Sequence, residues 1–262
     1  MEIIENLSTY SSRISRWNGD ERLAGYPFVE NVNAPFTPVR RALPMLNLAL
    51  VSTAGACIDG TEPFDVSSRG EARFDEIPIE VEAADLRYAA SGYDPTAVKQ
   101  DRNAQVPVDR LAEYEANSVI GKLNSVWWST SSFIPNAQTV AEELAPKLSE
   151  RLARYEVNAA LIIPASRLCH QTAGLIARRI EADGIPTIVI SVDKLMSERV
   201  RPPRTAYYEG DFGTVVGPAD WPEFQRRVLD ETLRNMETFD QPGIRKLAVD
   251  IESKVEAARG ER

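Results

Sequence analysis

The chain has 262 residues, 43% of them hydrophobic and 26% charged, with a formal net charge of -9. That length holds one large α/β domain or two small ones, and it buries a full core without disulfide staples. The acidic balance argues against nucleic-acid binding, which needs a basic face, and two cysteines with a single histidine fall short of a four-ligand structural zinc site or a secreted disulfide framework.

Residues 5–18 read as an amphipathic helix, with Ile4, Leu7, Tyr10 and Ile14 at helical spacing. Four prolines between 26 and 44 make the next stretch extended. A strand is predicted over 46–53, ending at Ala54-Gly55-Ala56-Cys57. Residues 58–103 show no clear elements, being rich in Asp, Glu, Gly and Pro. A connection of that length is functional or packs as its own lobe. The Asp and Arg residues of 58–110 read as solvated or loop-fixing groups.

A helix is predicted over 108–116 and a strand over 124–130 that ends in hydroxyls. Trp127 and Trp128 alternate across that strand, so they face opposite sides. Residues 137–154 form a helix that Pro146 kinks or restarts. Strand 159–163, helix 169–183, strand 186–192, a short linker, strand 204–209 and helix 219–236 follow. A charged amphipathic helix is expected over 244–259.

This alternation predicts an α/β fold, a mostly parallel sheet with helices on both faces in Rossmann-like or flavodoxin-like layers. Three regions are expected: an N-terminal helix and extended arm over 1–44, a first lobe over 45–157 with the insertion 58–103, and a second lobe over 158–262. The N-terminus carries no signal-peptide pattern and no segment reaches membrane-span length, so a cytoplasmic protein without membrane contact is expected. The chain has neither a dinucleotide-binding glycine fingerprint nor a P-loop, and no cofactor and no metal is expected.

In such sheets ligands sit beyond the carboxyl ends of the strands. That rule gathers Thr53 and Gly55, Ser129 and Ser131, Ser166 with Cys169, His170, Gln171 and Thr172, and Asp211 with Gly213, around one crevice for a small-molecule substrate. A cysteine at the head of a helix after a buried strand is where a reactive thiol forms most readily. The same residue also reads as a small buried hydrophobe. His170 is its proton partner, or instead binds a backbone carbonyl or the substrate. Cys57 lies past another strand end, and two thiols facing across a crevice would suit a cofactor-independent racemase, isomerase or lyase. Arg201 and Arg204 form an anion clamp or a solvated turn.

Ordered motifs then carry a resemblance. They are Pro35-Phe36-Thr37-Pro38-Val39-Arg40, Leu48-Ala49-Leu50-Val51-Ser52-Thr53-Ala54-Gly55, Glu62-Pro63-Phe64-Asp65, Asp101-Arg102-Asn103, Val106-Pro107-Val108-Asp109-Arg110-Leu111 and, above all, Cys169-His170-Gln171-Thr172-Ala173-Gly174. Pro202-Pro203-Arg204 and Phe212-Gly213 match a later motif. The chain resembles the glycine/sarcosine/betaine reductase selenoprotein B and D-proline reductase subunits and their selenium-free relatives. The resemblance implies reductive cleavage of a substrate C–N bond, in which a selenocysteine attacks carbon and a cysteine three residues later closes a selenide-sulfide bond. Here that pattern reads Ser166-Arg167-Leu168-Cys169-His170, with serine in the place of the attacking selenium. A hydroxyl cannot enter dithiol cycling. The segment before Tyr93-Asp94 also lacks the histidines typical of the family.

The expected protein is therefore an enzyme of this reductase-like family acting on a small amino-acid-derived substrate with altered chemistry, in a specialised biosynthesis. Cys169 is its reactive thiol, His170 an acid/base or orienting group, and Ser166 a hydrogen-bond donor. The rivals are the two-thiol enzyme using Cys57 and Cys169, and a non-catalytic binding subunit. A second copy or a partner subunit is an expected partner.

Overall fold

The computed structural model describes residues 2–20, 22–67 and 70–249. Helix α1 spans Leu7–Ile14, shorter than its apolar spacing suggests because Asn6, at φ 55, breaks the helical path before it. After an extended arm come β1 (Asn47–Ser52), β2 (Ala56–Ile58), β3 (Phe74–Pro78), β4 (Leu86–Tyr88) and α2 (Thr96–Gln100). Helix α3 (Val108–Ala116) and β5 (Lys122–Leu123) lead to β6 (Val126–Thr130). The next helix begins as α4 (Ala137–Thr139), loosens into a π turn over Val140–Leu144 and resumes as α5 (Ala145–Arg154). The restart puts Pro146 in a first turn, where its missing N–H leaves no ladder bond broken. Then follow β7 (Ala159–Ile163), α6 (Arg167–Ala182), β8 (Thr187–Ser191), α7 (Lys194–Val200), β9 (Arg204–Tyr207), α8 (Pro222–Thr238) and β10 (Gly243–Lys246).

The main sheet runs β10-β9-β8-β7-β1-β6-β3, with β5 also on β1. Every pairing in it is parallel except that of β3 with β6. The chain steps from β1 outward to β6, crosses back to β7 on the other side of β1, and continues outward to β10. The strand order therefore reverses between β1 and β7, the flavodoxin-like switch point at which such folds bind ligands. β1, from the expected first lobe, pairs with β7, from the expected second, in register from Leu48↔Ala159 to Ser52↔Ile163. Both stretches thus feed one sheet.

Layers cover both faces, which is why β1, β7 and β8 read as unbroken apolar runs. Leu48, Leu50, Trp127, Leu161 and Ile163 pack under α3 and α8, with Leu111, Val228 and Leu233. Ala49, Val51, Trp128, Ala160 and Ile162 pack under α5 and α6, with Leu148, Leu152, Leu175 and Ile180. The two tryptophans face opposite sides, as strand alternation requires.

Three expectations change. The supposed linker after β8 contains α7, begun by Asp193, whose carboxylate accepts from the Met196 N–H. Residues 58–103 hold β3, β4 and α2, and β4 pairs with β2 in a two-stranded ribbon. These strands are too short and too exposed to show alternation. The helix expected over 244–259 instead starts as the edge strand β10, because the open side of β9 offers a parallel ladder from Gly243 to Lys246. Residues 250–262 lie outside the described residues.

The N-terminal arm is tied to α6 and to the segment around β9. The buried Arg178 guanidinium donates to the carbonyls of Glu2, Ile3, Asn33 and Arg201. Burial lowers its pKa to about 10. The predicted anion clamp is absent at Arg204, which is buried, ion-paired with the equally buried Glu181 at 2.5 Å and stacked on Phe36. Nor is it a solvated turn. Among the described residues no helix is long and apolar enough to cross a membrane.

Candidate functional site at the strand switch point

Helix α6 begins where β7 ends, beside the end of β1. Ser166 is extended (φ -137, ψ 178) and caps the helix, its Oγ accepting the Cys169 N–H at 3.3 Å. The helix therefore starts two residues before the cysteine, and Cys169 stands in its first turn. The Cys169 Sγ lies 3.2 Å from the Thr53 carbonyl oxygen and 3.3 Å from that of Ser132, so its S–H can donate to either. The ends of β1 and β6 thus meet the head of α6 at this sulfur. It is 1% exposed.

His170 points elsewhere. Its Nε2 accepts the Val192 N–H at 3.2 Å, which puts the ring proton on Nδ1, 2.7 Å from the Ser166 carbonyl oxygen. Burial lowers its pKa to about 4, against a smaller upward pull from the Ser166 carbonyl. The ring is neutral at neutral pH, and it meets Phe212 edge-on with centroids 5.6 Å apart. Both nitrogens are engaged, so the histidine braces the turn that carries Ser166 to the loop after β8.

The other predicted residues gather at the same end of the sheet. Gly55, at φ +69, donates to Thr130 O and accepts from Ala89 N–H, and a Cβ there would lie 2.4 Å from Ala89 O. Only glycine permits that approach. Gly213 N–H donates to Ala165 O, which carries the loop after β9 to the end of β7. Ser131 Oγ accepts from Phe133 N–H and fastens its own loop. Thr53 Oγ1 and Ser129 Oγ are fully buried and have no hydrogen-bond partner. Unpaired buried hydroxyls are rare, and they mark places where a polar molecule or water belongs.

Two predicted residues, Gln171 and Cys57, have their contacts elsewhere. Gln171 accepts from Val29 N–H and donates to Tyr26 Oη, both at 2.8 Å, so its amide holds the N-terminal arm. Thr172 is buried within α6, and Asp211 is exposed. Cys57 sits in β2, where alternation turns it from the side on which Ala56 and Ile58 join the cluster containing Cys169. Burial, and then the Asp75 charge, push its thiol pKa up. Its surroundings are Asp75, Thr61, Arg73 and Asp59, none of which touches the Cys169 sulfur. The acidic residues at and before the start of α3 fix loops: Asp109 pairs with Arg102, while Asp101 accepts from Asn103 and Gln225.

Tyr93, which the sequence alone does not single out, belongs here beside Ser132 of the Ser129-to-Ser132 strand end. Tyr93 Oη donates to Ala54 O at 2.6 Å, and burial pushes its phenol pKa up, with Cys169 close enough to add to the rise. Ser132 Oγ donates to Ala89 O at 2.5 Å. The Tyr93-Asp94 dipeptide was the available signal. Residues 89–94 lie across the expected crevice, with Ser91 N–H on Ser132 Oγ and Tyr93 Oη on Ala54 O. Among the described residues no three His, Cys, Asp or Glu side chains gather to hold a metal.

The family model for glycine/sarcosine/betaine reductase selenoprotein B matches residues 13–165, ending just before Ser166. The chain is 26% identical over 208 residues to the D-proline reductase subunit gamma of Acetoanaerobium sticklandii, covering 79% of this chain and 85% of that subunit. It is 28% identical over 182 residues to the glycine reductase complex component B subunit gamma of Symbiobacterium thermophilum, covering 67% of this chain and 41% of that subunit. A sarcosine reductase complex component B subunit beta of Peptoclostridium acidaminophilum is 25% identical over 182 residues, with 67% and 41% covered. The chain thus spans less than half the length of the latter two relatives. No solved structure matches. With more than half its length matched by the family model, the chain belongs to the glycine/sarcosine/betaine reductase selenoprotein B family.

Proposed function

We propose that this chain is the substrate-handling subunit of a reductase-type complex, acting on a small amino-acid-derived substrate at the end of α6, with Cys169 as its reactive thiol. The observation that carries the reading is the Ser166-to-Cys169 turn at the strand switch point, with the thiol between the ends of β1 and β6. The unpaired hydroxyls of Thr53 and Ser129 nearby suit a polar ligand. The relatives are named as subunits of reductases acting on D-proline, glycine, sarcosine and betaine, which supports the substrate class and a partner subunit. A cytoplasmic setting belongs to the same reading.

Ser166 occupies the position that the family pattern gives to the attacking selenium or sulfur, and its Oγ is engaged as a helix cap. The chemistry therefore departs from selenide-sulfide cycling within this chain, and a second thiol would have to come from a partner. His170 orients the turn and does not carry the proton. The separate surroundings of Cys57 give the two-thiol racemase no support.

The test is ligand capture. The full chain is screened by saturation-transfer NMR against glycine, sarcosine, betaine, D-proline and related N-substituted amino acids. Ligands found are then assayed for turnover or a mass adduct, alone and with a dithiol and co-expressed partner subunits. The expected result is turnover or an adduct that Cys169→Ala abolishes while the fold survives. Unchanged turnover in Cys169→Ala overturns the role of the thiol. Ligand binding without turnover or adduct under every condition favours the binding subunit, and no amino-acid ligand at all overturns the substrate class.

A further inference from the structure

Residues 89–94 cross the mouth of the strand-end site between β4 and α2. Beneath them Thr53, Ser132, Ser166 and Cys169 are all no more than 2% exposed, whereas residues 89–94 themselves are partly or fully exposed. The segment seats on two points. Gly92, at φ +75, leaves room so tight that a Cβ would lie 3.1 Å from Ser166 Cβ. Tyr93 and Asp94 press on Gly213, where a Cβ would lie 2.8 Å from the Tyr93 ring and 2.7 Å from Asp94 O.

Its attachments are few. Ala89 N–H donates to Gly55 O at 2.9 Å, Ser132 Oγ donates to Ala89 O at 2.5 Å, Ser91 N–H donates to Ser132 Oγ at 2.9 Å, and Tyr93 Oη donates to Ala54 O at 2.6 Å. Two of these four bonds use the Ser132 hydroxyl and one uses Tyr93. Ala89, Ala90, Ser91 and Gly92 bring almost no apolar side chain to bury, and the Tyr93 ring, packed against the core, is the segment's main apolar anchor. A segment tied by a few hydrogen bonds over a dense core opens locally, well below the free energy of global unfolding.

We propose that residues 89–94 are a gate over Cys169, latched by Ser132 Oγ and Tyr93 Oη, and that lifting it is the step that admits a reactant to the thiol. The inference goes beyond the reading above and takes from it only the identity of the thiol to be reached. The latch lies between the site and solvent, so it sets the access rate whatever the substrate is.

The test uses the full chain with Cys57→Ala, which leaves Cys169 the only thiol. The pseudo-first-order rate of Cys169 alkylation by iodoacetamide is measured with and without Tyr93→Phe or Ser132→Ala. Tyr93→Phe, which removes one latch bond, is expected to raise the rate about fivefold, the ratio a typical hydrogen bond is worth, and Ser132→Ala, which removes two, by more, with no dependence on low urea. Leu148→Val, in α5 on the far side of the sheet from α3, weakens the fold as a whole and is expected to leave the rate unchanged. Unaltered rates in both latch variants overturn the gate. So does an equal rise in Leu148→Val, which would mean that labelling follows global unfolding. Neither readout depends on activity, so the gate and the proposed function fail separately.

Discussion

The Ser166 hydroxyl and the Cys169 amide close a single helical turn at 3.3 Å. A capping side chain and the side chain three residues later sit side by side at a helix head. This is the geometry in which Cys-x-x-Cys pairs form disulfides. Serine at the cap keeps the hydrogen bond and gives up the sulfur pair.

Ser166→Cys, in a Cys57→Ala background, should therefore form a disulfide with Cys169 under mild oxidant. Thiol titration should fall from two groups to none, and a dithiol should restore both. The reduced variant should be less stable by about 1 kcal/mol in urea unfolding, since the capping oxygen is lost. Two free thiols after oxidation would show that the turn does not present both side chains to each other.

His170 makes stability depend on acid. Its pKa is about 4 in the fold and near the ordinary 6.5 once unfolded. Between those values the unfolded chain binds the extra proton, so stability rises with pH. The contribution is complete above pH ~6.5 and falls away as pH drops toward 4, amounting to about 3 kcal/mol. His170→Asn keeps a donor toward Ser166 O and cannot titrate, so urea midpoints at pH 4.5, 5.5 and 7.5 should lose this slope. An undiminished slope would assign it to other groups.

The parts of the fold legible in the sequence are those with long patterns. β1, β7 and β8 are continuous apolar runs because they are buried on both faces, and α3 carries its stripe at Val108, Leu111 and Tyr114. Pro146 marked a restart that the π turn supplies. The strand ends that meet at Cys169 followed from the α/β alternation alone. Three-residue strands such as β2 have no readable period, so the side on which Cys57 falls was invisible. The Ala89-Ala90-Ser91-Gly92 stretch reads as plain loop, since its role comes from lying over Ser166. The sequence leaves the role of His170 open, because the Val192 amide on its Nε2 is a topological neighbour 22 residues away.

The Arg204–Glu181 pair tests how the arm is held at the other end of the strands. Glu181 also accepts from the N–H groups of Thr37 and Thr187, so its carboxylate ties arm, α6, β8 and β9 together. Arg204→Met strands a buried carboxylate and should lower stability by about 3–5 kcal/mol. Adding Glu181→Gln should recover part of that loss, because the amide oxygen still accepts and no charge is left. A double-mutant cycle in urea checks this, and strict additivity would mean that the two side chains do not act as a pair.

Gly55 and Gly25 both adopt a left-handed backbone, at φ +69 and +66, yet only one is crowded. Around Gly25 nothing lies within 4 Å of a would-be Cβ, whereas at Gly55 that atom would stand 2.4 Å from Ala89 O and 3.4 Å from Ser132 N. Gly25→Ala should show only the backbone preference, about 1–2 kcal/mol. Gly55→Ala adds overpacking worth about 1–3 kcal/mol, and it pushes against the backbone that anchors the gate. Its loss of stability should therefore be clearly the larger, and Cys169 alkylation should speed up in Gly55→Ala while staying at the parent rate in Gly25→Ala. Matching stabilities and matching labelling rates in the two variants would mean that the end of β1 yields freely. The close approach of Gly55 to Ala89 would then have no part in holding residues 89–94 over the thiol.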